Sequence, residues 1–237
     1  MTGTAALAPA TVTGVTDALH ADHAHHAGDR HADDDRHADG GHHADDDHAD
    51  GALHADAVRV LSSWPPPDAA ASWVRDEMLA LLGNGPRVLR RDGSPDHFTA
   101  STLVLDASLD RVLLCLHRRV QRWVQLGGHC EPTDTTLAQA ALREATEESG
   151  IAGLHLLPEP IGVDIHPVHC SAGPSRHFDV RYVAVAPPGA QPAISAESAA
   201  LDWFDRDDLP QPLAHATAIL VAPALAAVTR TPIRPAP

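Results

Sequence analysis

The sequence predicts an α/β protein in which helices pack on a mixed β-sheet, preceded by a long polar tail. Three observations support this fold class. Apolar and β-branched runs alternate with helix-forming segments after residue 96, strand-like runs stand both before and after the central helical segment, and the stretch from 19 to 56 has almost no large apolar side chain. The 237 residues, 43% of them hydrophobic, suffice for one ordinary domain with extensions.

Residues 1–57 are predicted to form a disordered tail rich in histidine and aspartate. From Leu19 to Asp56 the chain repeats HAD-like units and contains ten histidines. Such a segment cannot bury enough apolar surface to offset the entropy cost of ordering it. Two interpretations stay open: a solvated acidic tail, which the composition favours, and a low-affinity reservoir for Zn²⁺, Ni²⁺ or Cu²⁺ bound through imidazoles.

The distribution of charge and cysteine excludes several classes of protein. Of the net charge of -15, the first 57 residues contribute 12 aspartates against two arginines, so the remainder is only mildly acidic. No block of basic residues could follow a phosphate backbone, and we therefore expect no long nucleic acid as a partner. Three widely spaced cysteines suit free thiols in a reducing cytoplasm. No apolar run is long enough to span a bilayer, so no membrane association is expected.

Residues 58–95 are predicted to form a helical segment that leads into the main domain. A proline-rich break at 65–67 is followed by Asp68, which is a candidate N-cap residue. The Ala- and Leu-rich stretch after it has the composition of a helix and ends at Gly83.

The main domain is predicted over residues 96–230, with a short C-terminal tail at 231–237. Six segments have the apolar or alternating pattern of strands: FTASTLVLD at 98–106, RVLLCLH at 111–117, RWVQLGG at 122–128, IGVDIHPVH at 161–169, HFDVRYVAVA at 177–186 and LDWF at 201–204. Two segments predict helices: TLAQAALREATEES at 136–149, ended by Gly150, and PLAHATAILVAPALAAV at 212–228. This order predicts a layered domain with a mixed sheet.

The central helix contains three glutamates close together, at Glu144, Glu147 and Glu148. At about 100° per residue they fall within about one third of the helix circumference, where like charges repel by a few tenths of a kcal/mol. Carboxylates gathered on one face are the usual ligands of hard cations such as Mg²⁺. The glycine pair Gly127 and Gly128 lets the backbone come close, so that the Gly127 carbonyl is a candidate further ligand.

The segment GGHCEPTDTTLAQAALREATEESGI at 127–151 resembles the signature of the Nudix hydrolases, G-x5-E-x7-R-E-U-x-E-E-x-G-U, where U is an aliphatic residue. The residues that match in type and order are Gly128, Arg143, Glu144, Glu147, Glu148, Gly150 and Ile151. Three departures occur. Asp134 replaces a glutamate, eight residues instead of seven separate it from Arg143, and Ala145 fills the first aliphatic position. Ordered matches around paired acids make this signal specific.

The resemblance, which extends over about residues 96–228, implies an α/β/α sandwich that hydrolyses a nucleoside diphosphate linked to another group. By this resemblance Glu144, Glu147 and Glu148 would bind Mg²⁺ or Mn²⁺, with the Gly127 carbonyl as an addition. Arg143 would orient these glutamates, with Asp134 as its partner. Glu197 resembles a downstream acid that some Nudix enzymes use as a base or extra ligand, and a solvated loop acid is the alternative.

Two strand-like segments carry polar side chains on one face and provide candidates for substrate binding. Asp164 and His166 alternate with apolar residues in one segment, and His177, Asp179 and Arg181 do so in the other. These faces could line the cleft over the metal site, with Arg181 as a phosphate clamp and His177 as a proton-transfer or hydrogen-bonding group. The alternative is that both faces simply meet water.

The favoured function is therefore metal-dependent hydrolysis of a pyrophosphate bond in a small-molecule nucleotide derivative. Two alternatives stay open: a Nudix domain that senses a nucleotide derivative without turning it over, and a metal-buffering protein that acts through its histidine-rich tail. The substrate itself is not encoded in any segment we can interpret. The oligomeric state is also open, with a homodimer as one option.

We predict that the histidines between residues 19 and 56 bind Zn²⁺ or Ni²⁺ weakly near neutral pH. The ions should be released as the imidazoles protonate around their ordinary pKa of about 6.5. Titration calorimetry on the full chain and on a variant lacking this segment measures the uptake. Equal uptake by the two proteins would contradict the prediction.

Overall fold

The computed structural model describes residues 42–170, 173–195 and 198–231. Within these ranges the helices are α1 (His42–Ser63), α2 (Ala69–Leu82), α3 (Leu137–Ser149), α4 (His215–Ala218) and α5 (Val221–Arg230), with a 3-10 turn at Pro86–Leu89. The strands are β1 (His97–Leu105), β2 (Arg111–His117), β3 (Trp123–Val124), β4 (Leu126–His129), β5 (His155–Leu156), β6 (Gly162–Cys170), β7 (Gly173–Val185) and β8 (Ser198–Asp205). None of the helices described combines the length and apolar character that a membrane span requires.

The sheet is mixed, as predicted, and β1 is its central strand. It pairs in parallel with β7 along its whole length, from His97 opposite His177 to Leu105 opposite Val185. On its other edge β1 pairs antiparallel with β4 and then with β2. Strands β3 and β8 extend the sheet beyond β2, while β5 and β6 pair with β7. The two-residue strand β5 was not predicted, because two residues are too few to show an alternating pattern.

Helices cover both faces of the sheet, which confirms the predicted sandwich. Phe98 of β1 and Phe178 of β7 lie in a core cluster with residues of α1, α2 and α3. Leu103 and Leu105 of β1 point to the other face and pack with Ala224 of α5. Because side chains alternate along a strand, even-numbered residues of β1 face α3 and odd-numbered residues face α5.

The helix predicted before the main domain and the helix predicted at its end are both present, but the closing helix is divided in two. Helix α2 begins after Asp68, whose side chain accepts a hydrogen bond of 2.8 Å from the Ala71 N–H as an N-cap residue does. The closing helix is divided into α4 and α5, whereas one helix was predicted over 212–228. Pro223 lies in the first turn of α5, and proline has no N–H to continue the hydrogen bonding of a preceding helix.

The predicted disorder between residues 42 and 57 is wrong. All of this stretch belongs to α1, in which Leu53, Ala57 and Leu61 are completely buried. These residues are spaced four apart, so they share one helix face that packs in the core cluster of α2 and α3. The repeated His and Asp residues around them conceal this spacing in the composition. Residues 1–41 of the predicted tail lie outside the described residues.

Asp56 connects α1 to the start of α3. Its Oδ2 accepts a hydrogen bond of 2.9 Å from the Leu137 N–H, and Arg59 forms an ion pair with its other oxygen. At the same helix end, Thr136 is the N-cap residue and accepts from the Gln139 N–H at 3.0 Å. A carboxylate at a helix N-terminus satisfies an orphan donor and interacts favourably with the helix dipole. A residue predicted to lie in a disordered tail therefore helps to hold the central helix.

We expect Asp56→Ala to lower the free energy of unfolding by about 1–2 kcal/mol, because the buried Leu137 N–H loses its acceptor. Asp76→Ala is the matched control, since it removes the carboxylate of an exposed pair with Arg75. Exposed pairs contribute about 0–1 kcal/mol, so this variant should stay close to the wild type. Urea denaturation of the three proteins provides the comparison. Equal stability of the two variants would show that the Asp56 contact does not support α3.

Candidate active site

The central helix α3 is held against the sheet by small residues. Ala141 and Ala145 are completely buried, and Ala145 packs in a cluster with Val104 of β1 and Leu126 of β4. Ala145 replaces the aliphatic residue of the signature and still provides an apolar contact. Gly150 ends the helix in the left-handed conformation, with φ of 65°, as the sequence predicted. This packing places the glutamates of α3 beside β4.

Two of the glutamates contact the glycine pair in β4. The Gly127 N–H donates a hydrogen bond of 2.9 Å to Glu148 Oε2. A Cβ at position 128 would lie 2.8 Å from Glu144 Oε2, and one at position 127 would lie 2.4 Å from the Ser101 Cβ. Gly127 also has a φ of 148°, which other residues rarely adopt. Both glycines thus make room for neighbouring protein groups, in addition to the approach of a ligand that the sequence suggested.

Arg143 forms hydrogen bonds with two glutamates of the cluster and with Asp134. Its Nη1 donates to Glu144 Oε1 at 3.1 Å and to Glu147 Oε2 at 3.0 Å. Its Nη2 donates to Asp134 Oδ2 and to the His129 carbonyl, both at 2.9 Å. Burial alone would lower the pKa of Arg143, but its bond to Asp134 and the charges of Glu144 and Asp134 raise that pKa above its ordinary value. The guanidinium is therefore always charged and offsets the repulsion between the glutamates.

Asp134 accommodates the altered spacing of the signature. Its carboxylate is 1% exposed and accepts from Arg143 and from the Glu131 N–H, the latter at 2.7 Å. The loop between β4 and α3 thus folds back so that an aspartate eight residues before the arginine still reaches it. The contact between Arg143 and Asp134 that the resemblance implied is present.

The carboxylates of α3 fit a hard divalent cation. Glu144 has 15% of its side chain exposed and Glu147 has 58%, so the cluster runs from a shielded position beside β4 to solvent. Each carboxylate has about four lone-pair sites, and one that accepts from Arg143 or Gly127 can also bind an ion. Oxygen ligands of this kind suit Mg²⁺ or Mn²⁺. The assignment of Gly127, Glu144, Glu147 and Glu148 as metal ligands stays a prediction.

Arg181 does not have the open guanidinium that a phosphate clamp needs. Its side chain is 3% exposed, and its Nε and Nη2 each donate at 2.8 Å, to Asp179 Oδ2 and Asp164 Oδ2 respectively. Its Nη1 donates to the Ala216 carbonyl at 3.1 Å. Buried between two carboxylates and a helix end, Arg181 ties β6, β7 and α4 together. The predicted role as a clamp is corrected to this structural one.

Asp179 is likewise a buried part of this network and is not exposed for substrate binding. It is 3% exposed, and its two oxygens accept from Thr99 Oγ1 at 3.2 Å and from Ser101 Oγ at 2.8 Å. Thr99 and Ser101 are odd-numbered residues of β1, so the network lies on the α5 face of the sheet. The glutamates lie on the α3 face. The predicted arrangement of these strands over the metal site is therefore wrong.

His177 lies among other histidines on that same α5 face. Its ring centroid is 5.0 Å from those of both His97 and His129 and 5.5 Å from that of His166. Burial, followed by the neighbouring histidines and Arg91, lowers the pKa of His177 to about 3. The α5 face is not the face of the glutamates, beside which His177 was predicted to act as a proton-transfer or hydrogen-bonding group.

His166 connects the histidines to the buried ion pairs. Its Nδ1 is 2.8 Å from Asp164 Oδ2, which also accepts from Arg181. Burial alone would raise the pKa of Asp164, but the bonds and charges of His166 and Arg181 outweigh it and lower that pKa. Glu197, the remaining candidate, lies outside the described residues and stays a prediction.

Sequence reasoning did not group His97 and His129 with His177. In the sheet, His97 lies directly opposite His177, and His129 lies opposite Thr99 on the other side of β1. The three histidines come from three strands that are far apart in sequence. An alternation with polar neighbours was visible in the segments of His97 and His177, but the pairing of the strands was not.

Comparison with known proteins identifies the family of the chain. The model of the NUDIX domain matches residues 95–224, more than half of the chain. The chain therefore belongs to the Nudix hydrolase family, whose members typically cleave pyrophosphate bonds in nucleoside diphosphate derivatives and generally use a divalent metal such as Mg²⁺ or Mn²⁺. The resemblance carried by residues 127–151 is confirmed.

Solved structures of this family are among those similar to the chain. A MutT NUDIX hydrolase from Burkholderia pseudomallei is 28% identical, over 53% of this chain and 95% of that chain, with a TM-score of 0.41. A NUDIX family hydrolase from Clostridium perfringens is 26% identical, over 56% of this chain and 98% of that one, with a TM-score of 0.43. An Ap4A hydrolase from C. elegans is 17% identical, over 56% and 98%, with a TM-score of 0.46. No curated protein sequence matches the chain.

We expect Arg181→Met to lower the free energy of unfolding by about 3–5 kcal/mol, because it leaves the Asp179 and Asp164 carboxylates without their cation. Arg176→Met on the same strand is the control, since the pair of Arg176 with Asp96 is half exposed. It should cost about 0–1 kcal/mol. Chemical denaturation measures both. A small loss for Arg181→Met would favour the original interpretation of Arg181 as a residue reserved for ligand.

Proposed function

We propose that the chain is a divalent-metal-dependent Nudix pyrophosphohydrolase acting on a small nucleotide derivative. The observation that carries the proposal is the way the three glutamates of α3 are held. Arg143 joins Glu144 to Glu147, and the Gly127 N–H holds Glu148. Carboxylates fixed in this way are prepared to bind a cation without first having to be brought together.

The ion would be Mg²⁺ or Mn²⁺, held by Glu144, Glu147 and Glu148 with the Gly127 carbonyl as an additional candidate. When bound, such an ion neutralises pyrophosphate oxygens and lowers the pKa of a coordinated water. Arg143 keeps the carboxylates in position, and its buried bond to Asp134 fixes its own orientation. The half-exposed Glu147 is the outermost of the three and serves as a secondary ligand.

One candidate is left for the group that accepts the proton from water. His177 lies on the α5 face, away from the glutamates, so we do not propose it for this role. Glu197 stays the candidate base or additional ligand, with a solvated loop acid as the alternative. The substrate is a nucleoside diphosphate linked to another group.

We propose the cellular location of the enzyme from its cysteine thiols. Cys115 and Cys130 are both free and buried, and burial raises the pKa of each to about 12, so they are unreactive packing residues. Free thiols suit a reducing cytoplasm, where we place the protein. The absence of a long nucleic acid partner and the option of a homodimer stay predictions.

We expect Glu148→Gln to reduce turnover about a hundredfold or more, equivalent to about 2.7 kcal/mol, because an essential metal ligand loses its charge. The glutamine carbonyl can still accept from the Gly127 N–H, so metal-free stability should change little. Glu147→Gln should be milder. Glu159→Gln, in an exposed loop outside the cluster, is the control and should retain wild-type turnover.

The assay follows phosphate or nucleotide release with Mg²⁺ and with Mn²⁺. Nucleotide sugars, dinucleoside polyphosphates, oxidised nucleotides, NADH and ADP-ribose form the panel, and the substrate it identifies is then used for the variants. Full activity of Glu148→Gln with an unchanged Mg²⁺ dependence would contradict the proposal. Turnover of no compound by the wild type would favour the sensing alternative.

A further inference from the structure

Three histidines meet on the face of the sheet that does not carry the glutamates. His97 of β1, His129 of β4 and His177 of β7 each offer one ring nitrogen, and these three nitrogens all lie within 4.8 Å of one another. Three neighbouring strands contribute one residue each, so the rings are held by the sheet itself. No step of the proposed hydrolysis uses them.

The hydrogen bonds of His97 indicate which of its ring nitrogens carries the proton. Its Nδ1 lies 3.0 Å from both the Ser94 and the Pro95 carbonyl oxygens, and the side chain is completely buried. Carbonyl oxygens only accept, so Nδ1 carries the proton and Nε2 carries the lone pair of the neutral ring. Histidines that bind metals usually donate their other N–H to a carbonyl or carboxylate in this way.

His129 provides a second indication. Its Nε2 is buried and has no hydrogen-bond partner among the described residues. A buried polar nitrogen without a partner is costly and requires an explanation. A metal ion shared with the other two rings would supply that partner, because one ring nitrogen of each of the three histidines lies within 4.8 Å of the others.

We propose that His97, His129 and His177 bind one transition-metal ion of the Zn²⁺ class, at a site separate from the glutamates of α3. Imidazole nitrogens suit Zn²⁺, Ni²⁺ and Cu²⁺, whereas Mg²⁺ prefers oxygen ligands, so the two sites select different ions. Three protein ligands leave one position of a tetrahedral ion open to water or a small ligand.

The rings need only a small adjustment to reach one ion. With Zn–N bonds of about 2.0–2.1 Å, tetrahedral ligands lie about 3.4 Å apart, so nitrogens up to 4.8 Å apart must close by about 1.4 Å at most.

The surroundings of the three rings include a cavity and a charge that opposes a bound cation. A cavity of about 140 Å³ adjoins His97 and is lined by residues 91–95 and 173–175. The charge of Arg91 acts on both His129 and His177 and disfavours a second cation. On the adjoining strand, His166 lies beside His177 and is paired with Asp164. Two further acids are near, because Asp92 lines the cavity and Asp96 interacts with His97.

An ion at this site would also act on the candidate active site. It would fasten β4 to β1 and β7, and β4 carries the glycines that contact Glu144 and Glu148. The position of the glutamate cluster would then depend on two metals. Binding at the histidines does not require the hydrolase proposal, so the two can fail independently.

The test uses the full chain in excess Mg²⁺, which saturates the glutamates, and measures the Tm with and without Zn²⁺. At free Zn²⁺ about a hundred times its Kd, the wild type should gain about 5–10 °C. His155→Gln, an exposed histidine of β5, should gain as much, and His129→Gln less than half. Histidines elsewhere that bind equally in the folded and unfolded chain contribute no shift.

Anomalous diffraction at the zinc edge on wild-type crystals provides the second measurement and depends on no variant. A peak within bonding distance of the three ring nitrogens supports the proposal, whatever the folding of His129→Gln. Zinc located only at other residues, or an equal Zn²⁺-induced gain in Tm for a folded His129→Gln and the wild type, would overturn it.

Discussion

The candidate active site depends on the hydrogen bonds and ion pairs that the Arg143 guanidinium forms. This guanidinium binds the carboxylates of Asp134, Glu144 and Glu147 and the carbonyl of His129, so that one side chain connects α3, the loop before it and β4. Without this charge, glutamates on one helix face would repel each other. The same guanidinium that offsets their repulsion also orients them, so the protein itself orders the cluster.

Strand β4 links two chemically different clusters because its side chains alternate. Position 128 faces α3, where the missing Cβ leaves room for Glu144, and His129 faces the opposite side with His97 and His177. The sheet separates the carboxylates from the imidazoles while one short strand contacts both. A movement of β4 would therefore displace groups on both faces of the sheet.

The region after residue 41 shows how low sequence complexity can conceal a packed helix. His and Asp repeats dominate the composition, yet Leu53, Ala57 and Leu61 recur every four residues and are buried in the main core. Asp56, from the same repeats, accepts a hydrogen bond at the start of α3. Average composition predicted disorder, whereas the spacing of a few apolar residues decided the outcome.

The sequence alone determined those features that depend on neighbours along the chain. Capping by Asp68 and Gly150, the alternation of the strands and the spacing of Glu144, Glu147 and Glu148 follow from local periodicity, and the signature at 127–151 indicated the partner of Arg143. Tertiary structure alone decided which strands became neighbours.

Parallel pairing of β1 with β7, over segments 80 residues apart, buried Arg181 between two carboxylates and brought His97 opposite His177. It also assigned the polar residues of β7 to the face away from α3. A period of two shows that alternate residues share a face, but it does not show which layer covers that face, because long-range pairing depends on the packing of the whole domain.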